Sequence, residues 1–297
     1  MFRVLLISAV LFAACKNQEK SIKITDYASI TLLQQSKSNI KPQNGQYCLV
    51  DYITEFNDTT YEYSEDISPE GLTYVFNADE AKNKGYNQFS LAFSHMEVGD
   101  SAAVRMEVPK DFLEKAAAKG MPMRDYVVTY MRLKKIMTQL EADAFNAGVS
   151  AKAMLDYHQA MKKDSMVGQM VFRSLPSLSK KDFSGFTALP SGVQYKVLNQ
   201  GKGKKPEVGS GMRFDLCVYT TQGKKIASSY ARASPESFRL SKGKLLAALY
   251  EVMPNVSEGS SVLIFSPPSM AYGDKGNADL PPNSDVIVYV DLLKVRK

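Results

Sequence analysis

Two stretches of this chain, about 160 residues apart, repeat one pattern. "HMEVGDSAAVRMEVP" (95–109) parallels "NVSEGSSVLIFSPP" (255–268), each an apolar-x-x-Gly turn running into an alternating strand. "YVVTYMRLKKI" (126–136) parallels "DVIVYVDLLKV" (285–295) at a similar offset. A period this long is no solenoid repeat; it is the length of a domain, so the chain reads as two copies of one unit. A total of 297 residues accommodates both copies.

Within each copy the local signals agree. Strands alternate at period two, as in Tyr47 to Tyr52 and Met212 to Val218. One short helix is expected in each, Phe89 to Met96 and Lys244 to Met253, and each copy ends in a strand. The expected class is α+β, an antiparallel sheet with one main helix per unit. Between the copies, Ser150 is an N-cap candidate for a helix over Ala151 to Lys163, with Met154, Tyr157 and Met161 at helical spacing. This segment reads as a spacer that packs the domains together, with a partner surface as the alternative, and 176–190 reads as loop. The expected organisation is an export signal at 1–15, a polar tether at 16–46, a first domain at 47–137, a helical linker at 138–189 and a second domain at 190–297.

The chain opens "MFRVLLISAVLFAACKNQEK". One cation precedes an apolar run too short to span a bilayer, and small residues precede Cys15. The order resembles a bacterial lipoprotein signal, which implies lipid on Cys15 and attachment to the bacterial envelope, at the periplasmic or surface face of the outer membrane. Phe12 stands where that pattern usually has leucine. Stable anchoring would take more than one acyl chain. Cys48 and Cys217 form no CxxC and fall in different domains, so they are expected as buried thiols on strands.

Composition excludes several functions. The net charge of +6 is uneven: residues 41–137 hold 11 basic and 15 acidic side chains, and 190–297 hold 15 and 9. The lysines are scattered and no basic helix or aromatic–basic motif occurs, so no nucleic-acid partner is expected. The two histidines, His95 and His158, lie near no ligand cluster, so neither metal nor cofactor is expected. "GKGKK" (201–205) lacks phosphate-loop spacing and reads as a turn.

The second copy runs "LPSGVQYKVLNQGKGKKPEVGSGM", "GKKIASSY", "SFRLSKGKLLAALYEVMPNVSEGS" and "SPPSMAYGDKGNADLPPNSDVIVYVDLLKV". This order resembles the FKBP-type peptidyl-prolyl isomerases over about 105 residues from Gly192 onward. The first copy is similar but more diverged. The resemblance implies two half-wrapped antiparallel sheets, each around a short helix. It also implies an apolar groove that takes the proline of a polypeptide, and isomerisation of X-Pro bonds without cofactor. Tyr272 matches the family tyrosine that contacts the bound peptide carbonyl. Leu245 and Leu246 match an apolar pair at the helix start, and Leu280 the residue before Pro281-Pro282. Elsewhere the match departs: Leu216, Ile226, Leu249 and Val288 stand where the family has aromatic rings, and Ala227 stands where it has an aspartate. Phe238 keeps one ring, although its spacing places it toward the core. The first copy offers Tyr52, Tyr61, Glu62, Phe89 and Phe112 as a second candidate groove. These substitutions leave three readings open: an isomerase or folding helper, a non-catalytic binding module of the same fold, and a structural accessory lipoprotein of a surface machine.

Overall fold

The computed structural model describes residues 21–25, 27–57, 60–82, 87–118, 124–243 and 246–296. The chain divides into two compact units, 1–151 and 152–297.

The first unit contains strands β1 (Ser21–Thr25), β2 (Ala28–Gln34), β3 (Tyr47–Asn57), β4 (Thr60–Tyr63), β5 (Leu72–Val75), β6 (Ser101–Glu107) and β7 (Tyr126–Met137). Its helices are α1 (Ser64–Ile67), α2 (Ala78–Lys82), α3 (Gln88–Phe93) and α4 (Lys110–Ala118). The sheet is antiparallel, ordered β1-β2-β6-β7-β3-β4, with β5 also on β3. Ile30, Val50, Leu91, Phe93, Met96, Val104, Met131 and Leu133 form a core between sheet and α3. Asn87 caps α3, its side-chain oxygen accepting from the amides of Phe89 and Ser90.

Helix α5 (Gln139–Ser179) follows. Strands β8 (Thr187–Ala188), β9 (Gln194–Asn199), β10 (Gly211–Thr220), β11 (Lys225–Ser228) and β12 (Glu236–Arg239) come next. Helix α6 (Ala247–Val252) precedes β13 (Ser261–Ser266) and β14 (Val286–Arg296). The second sheet runs β11-β10-β14-β13-β9-β8, with β12 on β10. This is the strand order of the first sheet, element for element. Even the irregularity recurs: the register slips between Leu49 and Val50 in β3 and between Arg213 and Phe214 in β10. The duplication expected from the sequence is therefore present in the topology.

Both faces of the second sheet are apolar. Met212, Phe214, Val218, Val262, Ile264, Val286, Val288 and Val290 face α6. Their neighbours Cys217, Tyr219, Leu263, Phe265, Ile287 and Tyr289 pack with Val167, Val171, Leu175 and Leu178 of α5. Alternate side chains of a strand point to opposite faces, so strands apolar at both parities need a layer on each side. The α5 residues recur at i, i+4 and i+8, the stripe such a layer requires.

Three expectations are corrected. The stretch 16–46 is not a tether throughout: β1 and β2 lie within it, β2 pairs with β6, and Ile30 is fully buried. A short strand such as "ASITLL" carries little apolar signal until a sheet neighbour is known. The linker helix does not start after Ser150; that hydroxyl bonds back to the Asn146 carbonyl inside α5. The start lies at Thr138-x-x-Glu141, where the Glu141 carboxylate accepts from the Thr138 amide and the Thr138 hydroxyl accepts from the Glu141 amide, a capping box. Nor do residues 176–179 form loop, since α5 runs through Pro176 at the loss of one intrahelical hydrogen bond. Cys48 and Cys217 are buried free thiols on strands, as expected.

Candidate functional site

In the second unit the candidate groove residues gather on the α6 side of the sheet. Leu249, Leu280 and Val288 are buried, and Leu216, Ile226, Leu246 and Tyr272 lie half-buried against the same core. Each is placed by its element. Leu216 is on β10, one of the residues facing α6, and Ile226 is on the neighbouring strand β11. Leu246 precedes the first turn of α6 and Leu249 lies within it. Leu245 lies outside the described residues. Phe238 corrects its expected core placement: it is 40% exposed, its ring 6.3 Å from the buried Phe214 ring, at the rim of the cluster.

Tyr272 is held by backbone bonds rather than by its own hydroxyl. A tight turn over Pro268–Met270 ends with the Gly273 amide donating to the Pro268 carbonyl (2.8 Å). The Asn283 amide donates to the Gly273 carbonyl (3.0 Å), which closes the loop carrying Leu280. The Tyr272 hydroxyl has no hydrogen-bond partner among the described residues, and burial raises its pKa above the ordinary phenol value. It is a neutral donor available to a ligand. Ala227 and the other candidate residues of this cluster carry no charge, and Tyr272 supplies its hydroxyl. Met270 and Ala271, half-buried on the same core, were not foreseen; they directly precede Tyr272.

The first unit holds the equivalent positions. Strand register equates Tyr52 with Leu216, Glu62 with Ala227 and Tyr74 with Phe238, and Tyr61 precedes Glu62 as Ile226 precedes Ala227. The Tyr52 hydroxyl donates to Glu62 Oε1 at 2.6 Å, and burial followed by that bond pushes the phenol pKa up. The Tyr52 amide donates to the Ser64 hydroxyl just as the Leu216 amide donates to Ser229. Tyr61 lies on β4 opposite Glu55. Phe89 meets Tyr52 edge-on at 5.1 Å and stacks on Tyr74 at 3.9 Å. Phe112 is not part of this cluster: it is 52% exposed on α4. Tyr74 was missed because four more residues separate it from Phe89 than separate Phe238 from Leu249, which broke the spacing.

The second unit thus sets an antiparallel sheet on one short helix, with half-buried apolar side chains and the Tyr272 hydroxyl at the edge of their shared core. Residues 202–293, within the second unit, match the model of the FKBP-type peptidyl-prolyl cis-trans isomerase family. The chain is 29% identical over 153 residues to the FKBP-type peptidyl-prolyl cis-trans isomerase FkpA of Escherichia coli, covering 52% of this chain and 54% of that protein. It is 30% identical over 120 residues to the peptidyl-prolyl cis-trans isomerase Mip of Coxiella burnetii, covering 40% and 51%. It is 22% identical over 193 residues to the outer membrane protein MIP of Legionella longbeachae, covering 65% and 78%. The chain thus spans about half the length of the E. coli relative. Among solved structures, E. coli FkpA aligns with a TM-score of 0.37 at 24% identity, over 64% of this chain and 84% of that one.

Proposed function

We propose that the second unit is a peptidyl-prolyl cis-trans isomerase acting on proline-containing polypeptides, and that the whole chain is a folding helper of the bacterial envelope. The observation that carries this reading is the uncommitted Tyr272 hydroxyl beside the uncharged cluster of Leu249, Leu280 and Val288. Rotation about a peptide bond faces a barrier of about 18–20 kcal/mol, and X-Pro exchange takes tens of seconds or more. The twisted amide has lost resonance and part of its dipole, so an apolar recess favours it over the planar ground state. The Tyr272 hydroxyl orients the peptide by donating to a carbonyl, and neither nucleophile nor metal takes part. The test is a refolding reaction limited by one prolyl bond. The protein should speed the slow phase catalytically; a phase unchanged at stoichiometric protein would refute the activity.

A second reading, a binding module without turnover, is favoured by the aliphatic residues Leu216, Ile226, Leu249 and Val288 where rings would pack on a proline. In that case the refolding protein is bound but its slow phase keeps its rate.

The domain organisation we propose places the export signal at 1–15, which lies outside the described residues, as does Cys15. Lipid on Cys15 would hold the chain at the envelope, a reading supported by the signal-like start and by the name of the Legionella relative. No helix of the described residues is long and apolar enough to cross a membrane. Cys15→Ser should release the protein from the membrane fraction; undiminished membrane association would contradict lipid anchoring.

A further inference from the structure

The two units have drawn opposite fates from one position. Tyr74 pairs with Cys48 on β3 as Phe238 pairs with Met212 on β10. Phe238 leans outward at the rim of its groove and is 40% exposed. Tyr74 instead lies flat on Phe89, with ring centroids 3.9 Å apart and planes 17° from parallel. Phe89 stands where Leu249 forms the groove floor in the second unit. Tyr52 closes the side, 5.1 Å from Phe89 and 6.3 Å from Tyr74, its hydroxyl committed to Glu62. Non-bonded layers sit about 3.5–4 Å apart, so a third ring between two others needs centroids about 7–8 Å apart. At 3.9 Å the face of Phe89 is already taken.

We propose that Tyr74 is the built-in occupant of the first unit's groove, a ring that keeps this unit closed to proline-containing segments until it is displaced. Removing it opens a second groove walled by Tyr52 and Phe89, with the Glu62 carboxylate at its edge. This inference rests on the reading of these grooves as proline sites. On this proposal the copy richer in aromatic rings is the silent one. The apparent affinity of a site that is only fractionally open is reduced by that fraction, so the loss of the plug reads out as tighter binding.

The full chain, labelled with nitrogen-15, would be titrated with the tetrapeptide acetyl-Ala-Leu-Pro-Phe-amide. In the natural sequence, amide shifts should appear around Leu249 and Tyr272 and not around Phe89 and Ser90. In Tyr74→Ala a second set should appear around Phe89, at an affinity at least about tenfold above that of the natural first unit. Shifts around Phe89 in the natural chain equal to those in the variant would overturn the proposal. A folded Tyr74→Ala chain whose second unit responds while its first does not would overturn it alone. Silence in both units of both proteins would overturn the proline reading and this inference with it. Should Tyr74→Ala disorder the first unit, Tyr74→Val, which suits a strand, is read by the same criteria. In the natural chain, proton contacts between the Tyr74 and Phe89 rings must be present and must persist at saturating peptide; their absence also overturns the proposal.

Discussion

Asp215 on β10 and Asp291 on β14 stand directly opposite each other on one rung of the second sheet. In the first unit the same rung pairs Asp51 with Arg132. The two carboxylates are kept apart in behaviour by their neighbours. Burial opposes the charge of Asp291, but hydroxyls of Ser261, Tyr230 and Tyr289 donate to it, and Lys163 lies 3.3 Å away, so its pKa is held below the usual carboxylate range. Burial raises the pKa of Asp215, against a bond from the Ser229 hydroxyl, and the Asp291 charge raises it further.

The two residues therefore respond to pH with opposite signs. Asp291, depressed in the folded state, contributes stability above the unfolded carboxylate range near pH 4, and loses it as pH falls through its folded value. Asp215, raised in the folded state, is most favourable below that range and loses its contribution as pH rises through its folded value. At pH 7, Asp291→Asn should cost about 2 kcal/mol, because several donors lose a charged acceptor. Asp215→Asn should be neutral or stabilising, with its advantage shrinking toward pH 4. Urea unfolding at both pH values checks this; a larger loss from Asp215→Asn than from Asp291→Asn would contradict it.

The layer of α5 behind the second sheet predicts where that unit can be cut. A fragment 190–297 exposes Leu263, Phe265, Ile287 and Tyr289, whereas 152–297 keeps Val167, Val171, Leu175 and Leu178 over them. The longer fragment should unfold cooperatively and the shorter should aggregate or bind a hydrophobic dye. Val171→Asp should cost at least about 3 kcal/mol by placing an unpaired charge in that layer, while Met154→Asp on the exposed part of α5 should cost little. Equal stability of the two fragments would show that the layer is dispensable.

The loop between β13 and β14 holds two glycines with left-handed backbone and different surroundings. A methyl on Gly276 would lie 2.2 Å from the Leu280 carbonyl oxygen, whereas one on Gly273 meets nothing within 4 Å. Gly276→Ala must move the backbone that carries Leu280 and should lower isomerase kcat/KM about tenfold or more. Gly273→Ala bears the φ penalty alone, about 1–2 kcal/mol. Equal losses in the two variants would remove the close approach as the cause.

The equivalence between the units can be used to rebuild the open groove. Leu216→Tyr with Ala227→Glu copies the hydroxyl–carboxylate pair of Tyr52 and Glu62 onto β10 and β11. An added ring beside a bound proline contributes about 0.5–1.5 kcal/mol, so peptide affinity should rise roughly threefold to tenfold. Calorimetric titration with an X-Pro peptide would measure it; weaker binding would mean that the aliphatic wall is itself the fitted surface.

Much of this was legible in the sequence because the signals were local. The turn-and-strand pattern around Gly99 and Gly259, and the Ala-Tyr-Gly to Pro-Pro-Asn loop, give both the duplication and the Tyr272 edge of the groove. What escaped depended on distant partners. β2 carries only four clearly apolar side chains and becomes a strand by pairing with β6. The role of α5 required knowing that both faces of the second sheet are apolar. The Thr138–Glu141 box is readable in the sequence, whereas the Ser150 hydroxyl serves only its own helix. Tyr74 was hidden by the extra residues around α2, and Phe112 belongs to α4, a helix between β6 and β7.

On the proposed function, the second unit turns over X-Pro bonds through Tyr272 and the aliphatic side chains around it. The most direct measurement is exchange spectroscopy of a short X-Pro peptide with the full chain, beside Tyr272→Phe and Leu246→Asp variants. The account predicts cis–trans exchange faster than in free peptide, reduced about tenfold in Tyr272→Phe for the loss of one hydrogen bond and abolished in Leu246→Asp. Exchange no faster than that of the free peptide at millimolar protein, or acceleration untouched by either variant, would contradict it.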